Sequence, residues 1–321
     1  MTKSEFIRQA NEWGKEGIPF LFIADFELEN LQAKRLDAVD EKEIKYFLNG
    51  VTNNTEACFK KDIKFDKQLI PFEEYKAKFD FVRHHLHAGN SYLVNLTVRT
   101  PVALSVDLKE IFLGAAAPYK LWLNDQFVLF SPECFIKITD GKIYAYPMKG
   151  TTPDSPHAKE RLLADPKETT EHTTIVDLLR NDLSQAATRV TVKKFRYVEE
   201  IKTNYGKLLQ ASSEIVGELN PDYASHIGDL LCALWPAGSV SGAPKPKTID
   251  IIRQAEKEKR GYYTGVFGCF DGKNLDSGVM IRFIEKENQR YYYRSGGGLT
   301  AQSNCEKEYQ EVADKIYVPV I

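Results

Sequence analysis

Paired cysteines are missing from this sequence. Its 321 residues include only five cysteines, which lie far apart, with no Cys-x-x-Cys pair and no histidine at the spacing of a zinc ligand. These absences argue against a disulfide framework and against a zinc-ribbon site. Scattered free thiols are typical of a reducing compartment, so we expect the protein in the cytoplasm.

The sequence has neither an excess of one charge nor a long apolar run. The 43 basic and 45 acidic side chains give a formal net charge of −2, which leaves no basic footprint for nucleic acid. No stretch approaches the roughly 20 apolar residues that span a bilayer, and the first residues lack the apolar core of a signal peptide. We therefore expect neither nucleic acid nor a membrane as a partner.

An internal repeat and a regular alternation of strands with helices are also absent. Apolar, β-branched and aromatic runs predict strands at 19–26, 91–100, 126–130, 135–139, 142–146, 190–197, 265–270, 278–284 and 290–294. A helical period predicts helices at 72–88, 169–184, 247–259 and 306–317. Because strands do not alternate with helices, the pattern favours an α+β fold of antiparallel strands with helices on their outer faces.

The length allows one large domain or two modest ones. Residues 1–70 carry strand and charged-helix patterns without recognisable chemistry, and they are too few for a convincing independent core. We therefore expect a single catalytic domain over 1–321. In that domain, residues 1–70 supply the first sheet elements and residues 71–321 carry the chemistry.

Lys149 is the first residue that suggests chemistry. It follows the predicted strand 142–146, lies between Pro147 and Pro153, and directly precedes Gly150. An amine on a rigid turn can act as a nucleophile when its surroundings lower its pKa. From the residues alone, an ordinary solvated turn lysine is the open alternative.

Three glutamates form a candidate metal site. Glu308 and Glu311 are three residues apart on a predicted helix, so they project from one face, where a cation would relieve their repulsion. Glu171 begins another predicted helix and can face the same point. Carboxylate oxygens without a nearby histidine or cysteine suit Mg²⁺. An ordinary charged helix face is the alternative.

Two glycine-rich segments allow close approach of the backbone to a ligand. The first, 236–245, is not a phosphate loop, because Ala243 and Pro244 separate Gly242 from Lys245. We interpret it as a nest of N–H groups for an anionic oxygen. The second, 296–298, fits the same use or a flexible turn. In the helix 169–184, Arg180 and Asp182 are expected to form a buried structural network.

Six ordered motifs resemble those of the chorismate-utilising enzymes, the family of anthranilate, aminodeoxychorismate, isochorismate and salicylate synthases. They lie within residues 72–321 and comprise PMKGT at 147–151, Glu171 with IVDLLRNDL at 175–183, GSVSGAPK at 238–245, RGYYTG at 260–265, IR at 281–282, and GGG at 296–298 with Glu308 and Glu311. The resemblance implies two antiparallel sheets with outer helices. It also implies Mg²⁺ held by Glu171, Glu308 and Glu311.

The position of Lys149 separates the branches of this family. Anthranilate and isochorismate synthases carry alanine there, whereas lysine resembles the aminodeoxychorismate synthases of 4-aminobenzoate and folate biosynthesis. The resemblance implies that Glu133, upstream across a predicted hairpin, protonates the departing C4 hydroxyl of chorismate. Lys149 then attacks C2, and ammonia at C4 expels it to give 4-amino-4-deoxychorismate.

Other residues are implied as ligands of chorismate. Arg282, with its bidentate fork, and Tyr263 are expected to bind carboxylate oxygens. The remaining expected substrate contacts are Thr151, Ser241, Gly242, Lys245, Gly296, Gly297 and Gly298.

The expected reaction needs partners. None of the five cysteines lies in the nucleophile turn of a glutaminase, so we expect ammonia from a separate glutamine amidotransferase subunit. No segment resembles a pyridoxal-phosphate lyase, so aminodeoxychorismate lyase is expected as another protein. Two alternatives stay open: an anthranilate or isochorismate synthase with the same metal site, and a catalytically silent chorismate-binding subunit.

Overall fold

The computed structural model of the protein describes residues 1–58, 63–203 and 206–319, without the side chains at 151, 167, 201–203 and 206. In chain order the strands are β1 (Phe20–Ala24), β2 (Gln32–Arg35), β3 (Ile44–Leu48), β4 (Val51–Thr52), β5 (Phe65–Lys67), β6 (Leu93–Leu104), β7 (Tyr119–Leu123), β8 (Phe127–Ser131), β9 (Cys134–Thr139), β10 (Lys142–Ala145), β11 (Met148–Pro153), β12 (Thr188–Thr203), β13 (Gly206–Glu218), β14 (Gly242–Ala243), β15 (Val266–Phe270), β16 (Leu275–Val279), β17 (Phe283–Glu287) and β18 (Arg290–Leu299). The helices are α1 (Lys3–Glu16), α2 (Phe72–His87), α3 (Leu108–Gly114), α4 (Ala158–Ala164), α5 (Pro166–Leu183), α6 (Ile227–Leu234), α7 (Gly238–Ser241), α8 (Lys245–Glu256) and α9 (Cys305–Asp314).

The strands form two antiparallel sheets. The first sheet has the order β11-β13-β10-β9-β16-β15-β1-β2, with β12 also paired to β13. The second has the order β14-β6-β18-β17-β8-β7-β3-β4, with β5 also paired to β6. The pairings between described strands are antiparallel in both sheets. The predicted α+β class with two antiparallel sheets is therefore confirmed.

The alternation of side chains along β1 builds two layers of core. All five residues of β1 are buried. Leu21 and Ile23 belong to the apolar cluster between the sheets, which β3, β7 and β8 also line. Phe20 and Phe22 project from the opposite face onto α1, because successive side chains of a strand point to opposite faces. Burying one such side chain contributes about 1.5–3 kcal/mol.

Helices cover the outer faces of both sheets, as predicted. On the first sheet, α1 and α6 contribute to the cluster behind β1. On the second sheet, Phe79 of α2, Ile251 of α8 and Val312 of α9 pack with Val94 and Leu96 of β6. No helix in the described part of the chain is long and apolar enough to cross a membrane.

One predicted strand was wrong, and one open alternative is excluded. The run 278–284 is not one strand, because β16 of the first sheet ends at Val279 and β17 of the second sheet begins at Phe283. Arg282, at φ 53°, lies in the left-handed region within this connection. Its neighbours in the sequence are apolar and resemble a continuing strand. The change from the first sheet to the second therefore could not be predicted from the sequence. The glycines 296–298 form no turn, since they pair with β6 as the end of β18.

The N-terminal residues complete both sheets. The strands β1 and β2 extend the first sheet beyond β15, and β3 and β4 extend the second beyond β7. The short strand β5 pairs with β6 at the opposite side of the second sheet. These residues therefore form framework elements around the later motifs.

Candidate active site

Lys149 lies in an irregularity of β11. The register between β11 and β13 shifts between Met148 and Thr151, and Gly150 has a left-handed φ of 82°. A Cβ at Gly150 would lie 2.8 Å from Glu168 Oε2 and 3.0 Å from Leu162 Cδ1, so the chain passes close to α4 and α5. Such a bulge changes the direction of a side chain from the one it would have in a regular strand. Glycine is required here by both its φ and its neighbours.

Glu133 lies in the connection from β8 of the second sheet to β9 of the first. Its backbone is held at both sides, because its N–H donates to Ser131 Oγ at 3.1 Å and its carbonyl accepts from Val279 N at 3.0 Å. Ser239 Oγ of α7 donates a hydrogen bond to Glu133 Oε1. Groups from three separate segments therefore hold Glu133, and Ser239 is the one that contacts its carboxyl.

Burial raises the pKa of the Glu133 carboxyl above its ordinary value. The hydrogen bond from Ser239 and nearby cations offset only part of this rise. Those cations are Lys149, Arg282 and Lys315. Glu133 therefore keeps its proton to higher pH than an exposed glutamate, which suits a general acid.

The pairing of β9 with β10 explains why Glu133 and Lys149 come together. Tyr144 lies opposite Lys137 in this antiparallel pair. The start of β9, which follows Glu133, and the end of β10, which precedes Lys149, consequently lie at the same end of the hairpin. The charge of Lys149 is close enough to lower the pKa of Glu133.

Glu308 and Glu311 project from α9 towards β18. A Cβ on Gly297 would lie 3.4 Å from Glu308 Oε2 and 3.3 Å from Glu311 Oε1. The absence of a side chain at Gly297 therefore leaves room beside both carboxylates. Ser303 Oγ donates to Glu308 Oε1 at 2.9 Å, and Lys315 Nζ contacts Glu311 Oε1.

The predicted three-carboxylate group is not assembled in the part of the chain that the structure describes, where no three Asp, Glu, His or Cys side chains converge on a metal position. Glu171 lies on α5, which packs against β11, β12 and β13 of the first sheet, whereas α9 packs on β18 of the second. Glu308 and Glu311 still fit Mg²⁺, which commonly takes one or two carboxylates with waters and substrate oxygens. The open side of Gly297 fits the same ion.

Arg282 lies close enough to Tyr263 and Glu133 for its charge to lower the pKa of both groups, against the larger effect of burial. The Arg282 guanidinium carbon lies 5.2 Å from the centre of the Tyr317 ring. Its Nε is buried and donates to no group among the described residues, as expected of a site that holds an acceptor from a ligand. Tyr263 is buried, and burial raises the pKa of its hydroxyl to about 12, so the hydroxyl keeps its proton.

The glycines of β18 differ in what surrounds them. A Cβ on Gly296 would lie only 2.3 Å from Leu96 O, so Gly296 is required by the approach of β6. A Cβ on Gly298 would lie 3.0 Å from Leu93 Cδ1 and 3.9 Å from Lys149 Nζ. On β18, Gly298 therefore lies beside Lys149, and Gly297 lies beside Glu308 and Glu311.

Three residues predicted as substrate ligands are used inside the fold. Lys245 Nζ pairs with the buried Asp182 at 3.1 Å and donates to Leu234 O at 3.1 Å. Ser241 Oγ donates to Ala237 O at 2.9 Å within α7. A Cβ on Gly242, at φ 130°, would lie 1.8 Å from Leu93 O. The side chains of Lys245 and Ser241 are therefore engaged within the fold, and a side chain at Gly242 would clash with β6. The interpretation of the segment as a nest of N–H groups stays a prediction.

The predicted polar network around Asp182 is only partly correct. Asp182 is buried and bonded to Lys245, and its carboxylate also contacts the backbone of Gly238 at the start of α7. Arg180 is instead half exposed and pairs with Asp177 on the outer face of α5. Thr151 lies opposite Gln210 in the backbone pairing of β11 with β13, and its side chain is outside the described part.

Three residues of this region were not predicted from the sequence. Ser239 contacts Glu133, and Lys315 follows Glu311 by one helical turn, a spacing that predicts contact. His172 is buried beside Glu171, and its Nε2 lies 2.7 Å from Ser213 Oγ. Ser213 N also donates to Pro147 O at 3.0 Å. Ser213 therefore links His172 on α5 to the residues that precede Lys149. Burial lowers the pKa of His172 to about 4.

A cavity of about 470 Å³ lies elsewhere, beside β17 and β18. None of the predicted site residues lines it. Arg99 and Arg294, which do, are paired with Glu285 at 2.6 and 2.9 Å. The chemistry-bearing residues therefore do not coincide with this cavity, and the Lys149–Glu133 region is the stronger candidate for the active site.

Known proteins resemble this chain along nearly all its length. Residues 5–320 match the family described as chorismate binding enzyme. An uncharacterized PabA-like protein of Haemophilus influenzae is 50% identical over 320 residues, covering 99% of this chain and 98% of that protein. Aminodeoxychorismate synthase component 1 of Escherichia coli is 33% identical over 261 residues, covering 76% of this chain and 56% of that protein. Anthranilate synthase component 1 of Synechocystis is also 33% identical, covering 76% of this chain and 52% of that protein.

Solved structures share the fold. Anthranilate synthase component I of Streptococcus pneumoniae superposes with a TM-score of 0.67 at 26% identity, over 82% of this chain and 60% of that one. The isochorismate synthase MenF of Escherichia coli gives a TM-score of 0.72 at 15% identity, over 97% of this chain and 80% of that one, a likeness of fold alone. By its sequence over residues 5–320, this chain belongs to the chorismate-binding enzyme family.

Proposed function

We propose that this chain is the chorismate-aminating component of an aminodeoxychorismate synthase, which converts chorismate and ammonia into 4-amino-4-deoxychorismate and water. The observation that carries the proposal is the nearness of Lys149 to Glu133, whose carboxyl has a pKa raised by burial and partly lowered again by the charge of Lys149. Similarity to aminodeoxychorismate synthase component 1 supports it. Anthranilate synthases are equally similar overall, so the assignment depends on Lys149.

Glu133 is the general acid of the proposed reaction. Hydroxide is a poor leaving group, so the C4 hydroxyl needs a proton as its bond to carbon breaks. Burial raises the pKa of Glu133, which favours its protonated form, and Ser239 orients the carboxyl. Glu133 would deliver the proton as the hydroxyl departs as water, and it would be left as a carboxylate beside Lys149.

Lys149 is the nucleophile. Its amine attacks C2 of chorismate, the ring double bonds shift, and the C4 hydroxyl leaves as water with the proton from Glu133, which gives a covalent adduct. Ammonia then attacks C4, the double bonds shift back, and the bond between C2 and the Lys149 nitrogen breaks. The new amino group loses its extra proton to the Glu133 carboxylate, which restores the acid. The sum is one hydroxyl replaced by one amino group, with water released.

The substrate carboxylates need donors. The buried, unpartnered Nε of Arg282 supports a role in binding one carboxylate, with the protonated hydroxyl of Tyr263 nearby. Gly297 and Gly298 allow the ring to approach the backbone between the glutamates and Lys149. These contacts would place C2 next to the amine.

Mg²⁺ is the proposed cofactor. Glu308 and Glu311 would hold it. Glu171, which lies on α5, is the expected third ligand. Bound there, the ion would neutralise and orient the ring carboxylate of chorismate.

Other proteins complete the pathway in this proposal. Ammonia would come from a separate glutamine amidotransferase subunit, and an aminodeoxychorismate lyase would release 4-aminobenzoate from the product.

Identification of the product tests the proposal. Purified chain is incubated with chorismate, Mg²⁺ and ammonium, and the products are separated by chromatography and identified by mass spectrometry. We expect 4-amino-4-deoxychorismate as the main product. Anthranilate or isochorismate would contradict the proposal and favour a sister activity, and chorismate binding without turnover would indicate a silent subunit.

A further inference from the structure

The positive charge of Lys315 lies beside the two carboxylates of α9, Glu308 and Glu311. Lys315 Nζ contacts Glu311 Oε1 one helical turn away and donates to Gly296 O at 2.8 Å. Its side chain is about a quarter exposed, at 27%, so water screens the pair only partly. The ammonium is therefore held between the end of α9 and Gly296 of β18.

The geometry places this ammonium beside the proposed cation position. A Cβ on Gly297 would lie 3.3 Å from Glu311 Oε1, 3.4 Å from Glu308 Oε2 and 3.5 Å from Lys315 Nζ. Two carboxylate oxygens and one ammonium thus surround the same small volume. A divalent cation that enters this volume meets a positive charge at close range and must share Glu311 with it.

We propose that Lys315 is a built-in counter-cation of the Glu308–Glu311 pair, which competes with Mg²⁺ and weakens its binding in the absence of chorismate. The lysine neutralises part of the carboxylate repulsion in the free protein. Mg²⁺ must displace the ammonium from Glu311 or bind against its charge. The inference rests on the Mg²⁺ site of the proposed function, and it concerns the affinity of that site before substrate is present.

The neighbouring cations do not fill this role. Lys149 Nζ lies beside Gly298, and Arg282 is on the connection that precedes β17. Lys315 contacts Glu311 directly. Removing its charge should therefore change metal affinity more than removing a charge elsewhere on α9.

Mg²⁺ affinity measured by titration calorimetry without chorismate tests this. The full chain is compared with Lys315→Met, and with Lys307→Met, which removes the same charge from an exposed position on α9. We expect Lys315→Met to bind Mg²⁺ about tenfold more tightly, equivalent to about 1.4 kcal/mol, and Lys307→Met to match the parent. Lys315→Gln, which can still donate to Gly296 O, is the second variant in case the Met side chain disturbs folding.

Two results would overturn the inference. One is equal or weaker Mg²⁺ binding in folded Lys315→Met and Lys315→Gln. The other is no Mg²⁺ binding in any of these proteins, with or without the lysine. Neither result depends on which product the enzyme forms, so anthranilate as a product would refute the proposed function and leave this inference intact.

Discussion

Ser239 donates its hydroxyl hydrogen to Glu133, a residue 106 positions away in the chain. The hydrogen bond joins α7 to the connection between the two sheets, where the pKa of Glu133 is raised by burial. Asp182 contacts the backbone at the start of α7 and pairs with Lys245. The glycine-rich segment therefore supports the proposed acid through its fold, in addition to any contact with substrate.

Glu133→Gln should stabilise the protein at neutral pH while it removes activity. Because the folded pKa is raised, the folded protein holds this proton to higher pH than the unfolded chain does. Stability therefore falls as pH rises from the ordinary glutamate pKa, about 4.3, through the folded pKa. Glutamine carries no charge and avoids this loss.

Thermal melts across pH check this prediction. We expect Glu133→Gln to melt above the parent at pH 8 and to converge with it near pH 4, with kcat reduced about 10²–10⁴-fold. Glu12→Gln, on the exposed face of α1, is the control and should change neither quantity. A variant less stable than the parent at pH 8 would contradict the buried-acid account.

Gly296→Ala should destabilise the fold, whereas Gly297→Ala should weaken ligand binding. The methyl group at 296 would lie 2.3 Å from Leu96 O, which forces the backbone of β6 or β18 to move, so we expect a lower melting temperature. The methyl group at 297 would lie 3.3–3.4 Å from two carboxylate oxygens, so we expect a folded protein with weaker Mg²⁺ and chorismate binding. Melting curves and steady-state kinetics separate the two effects, and identical behaviour of the variants would refute the distinction.

Arg260 and Glu256 form a buried ion pair that should dominate local stability. The guanidinium donates to both Glu256 oxygens at 2.6 and 2.9 Å, to Val240 O at 2.8 Å and to Asn95 O at 2.7 Å. Glu256→Ala leaves that buried charge without its partner, so we expect a loss of about 3–5 kcal/mol in unfolding free energy.

A matched surface pair provides the control. Lys76 and Asp80 have the same i,i+4 spacing, and their side chains are 45% and 36% exposed. Asp80→Ala, which also removes the pair with Arg83, should therefore cost less than about 1 kcal/mol. Urea denaturation of both variants measures the difference. Equal losses would show that burial does not decide the strength of these pairs.

The source of nitrogen gives a further prediction. We expect the isolated chain to use ammonium and to be inactive with glutamine, because none of its cysteines lies in a glutaminase nucleophile turn. Product formation in parallel assays with each nitrogen donor provides the measurement. Glutamine-dependent activity of the pure chain would contradict the need for a separate amidotransferase.

Local spacing made some of the site predictable and left other parts hidden. Glu308 and Glu311 lie on one face because three residues nearly complete a helical turn, and Lys149 follows a strand as its neighbours indicate. The contact of Ser239 with Glu133 depends on how two sheets are connected, which no local pattern reports. The ion pair of Lys245 with Asp182 was not predicted, because sequence cannot show that Asp182 approaches it. The connection at Arg282 was missed because apolar residues continue through it.

A covalent adduct on Lys149 is the most direct test of the central claim. The chain is incubated with chorismate and Mg²⁺ in the absence of ammonia, quenched, and measured by intact-protein mass spectrometry with peptide mapping. We predict a mass increase of chorismate less water, located on Lys149 and absent from Lys149→Ala, a variant that should fold normally and form no 4-amino-4-deoxychorismate. Full aminating activity in Lys149→Ala, or an adduct located on another residue, would contradict the account.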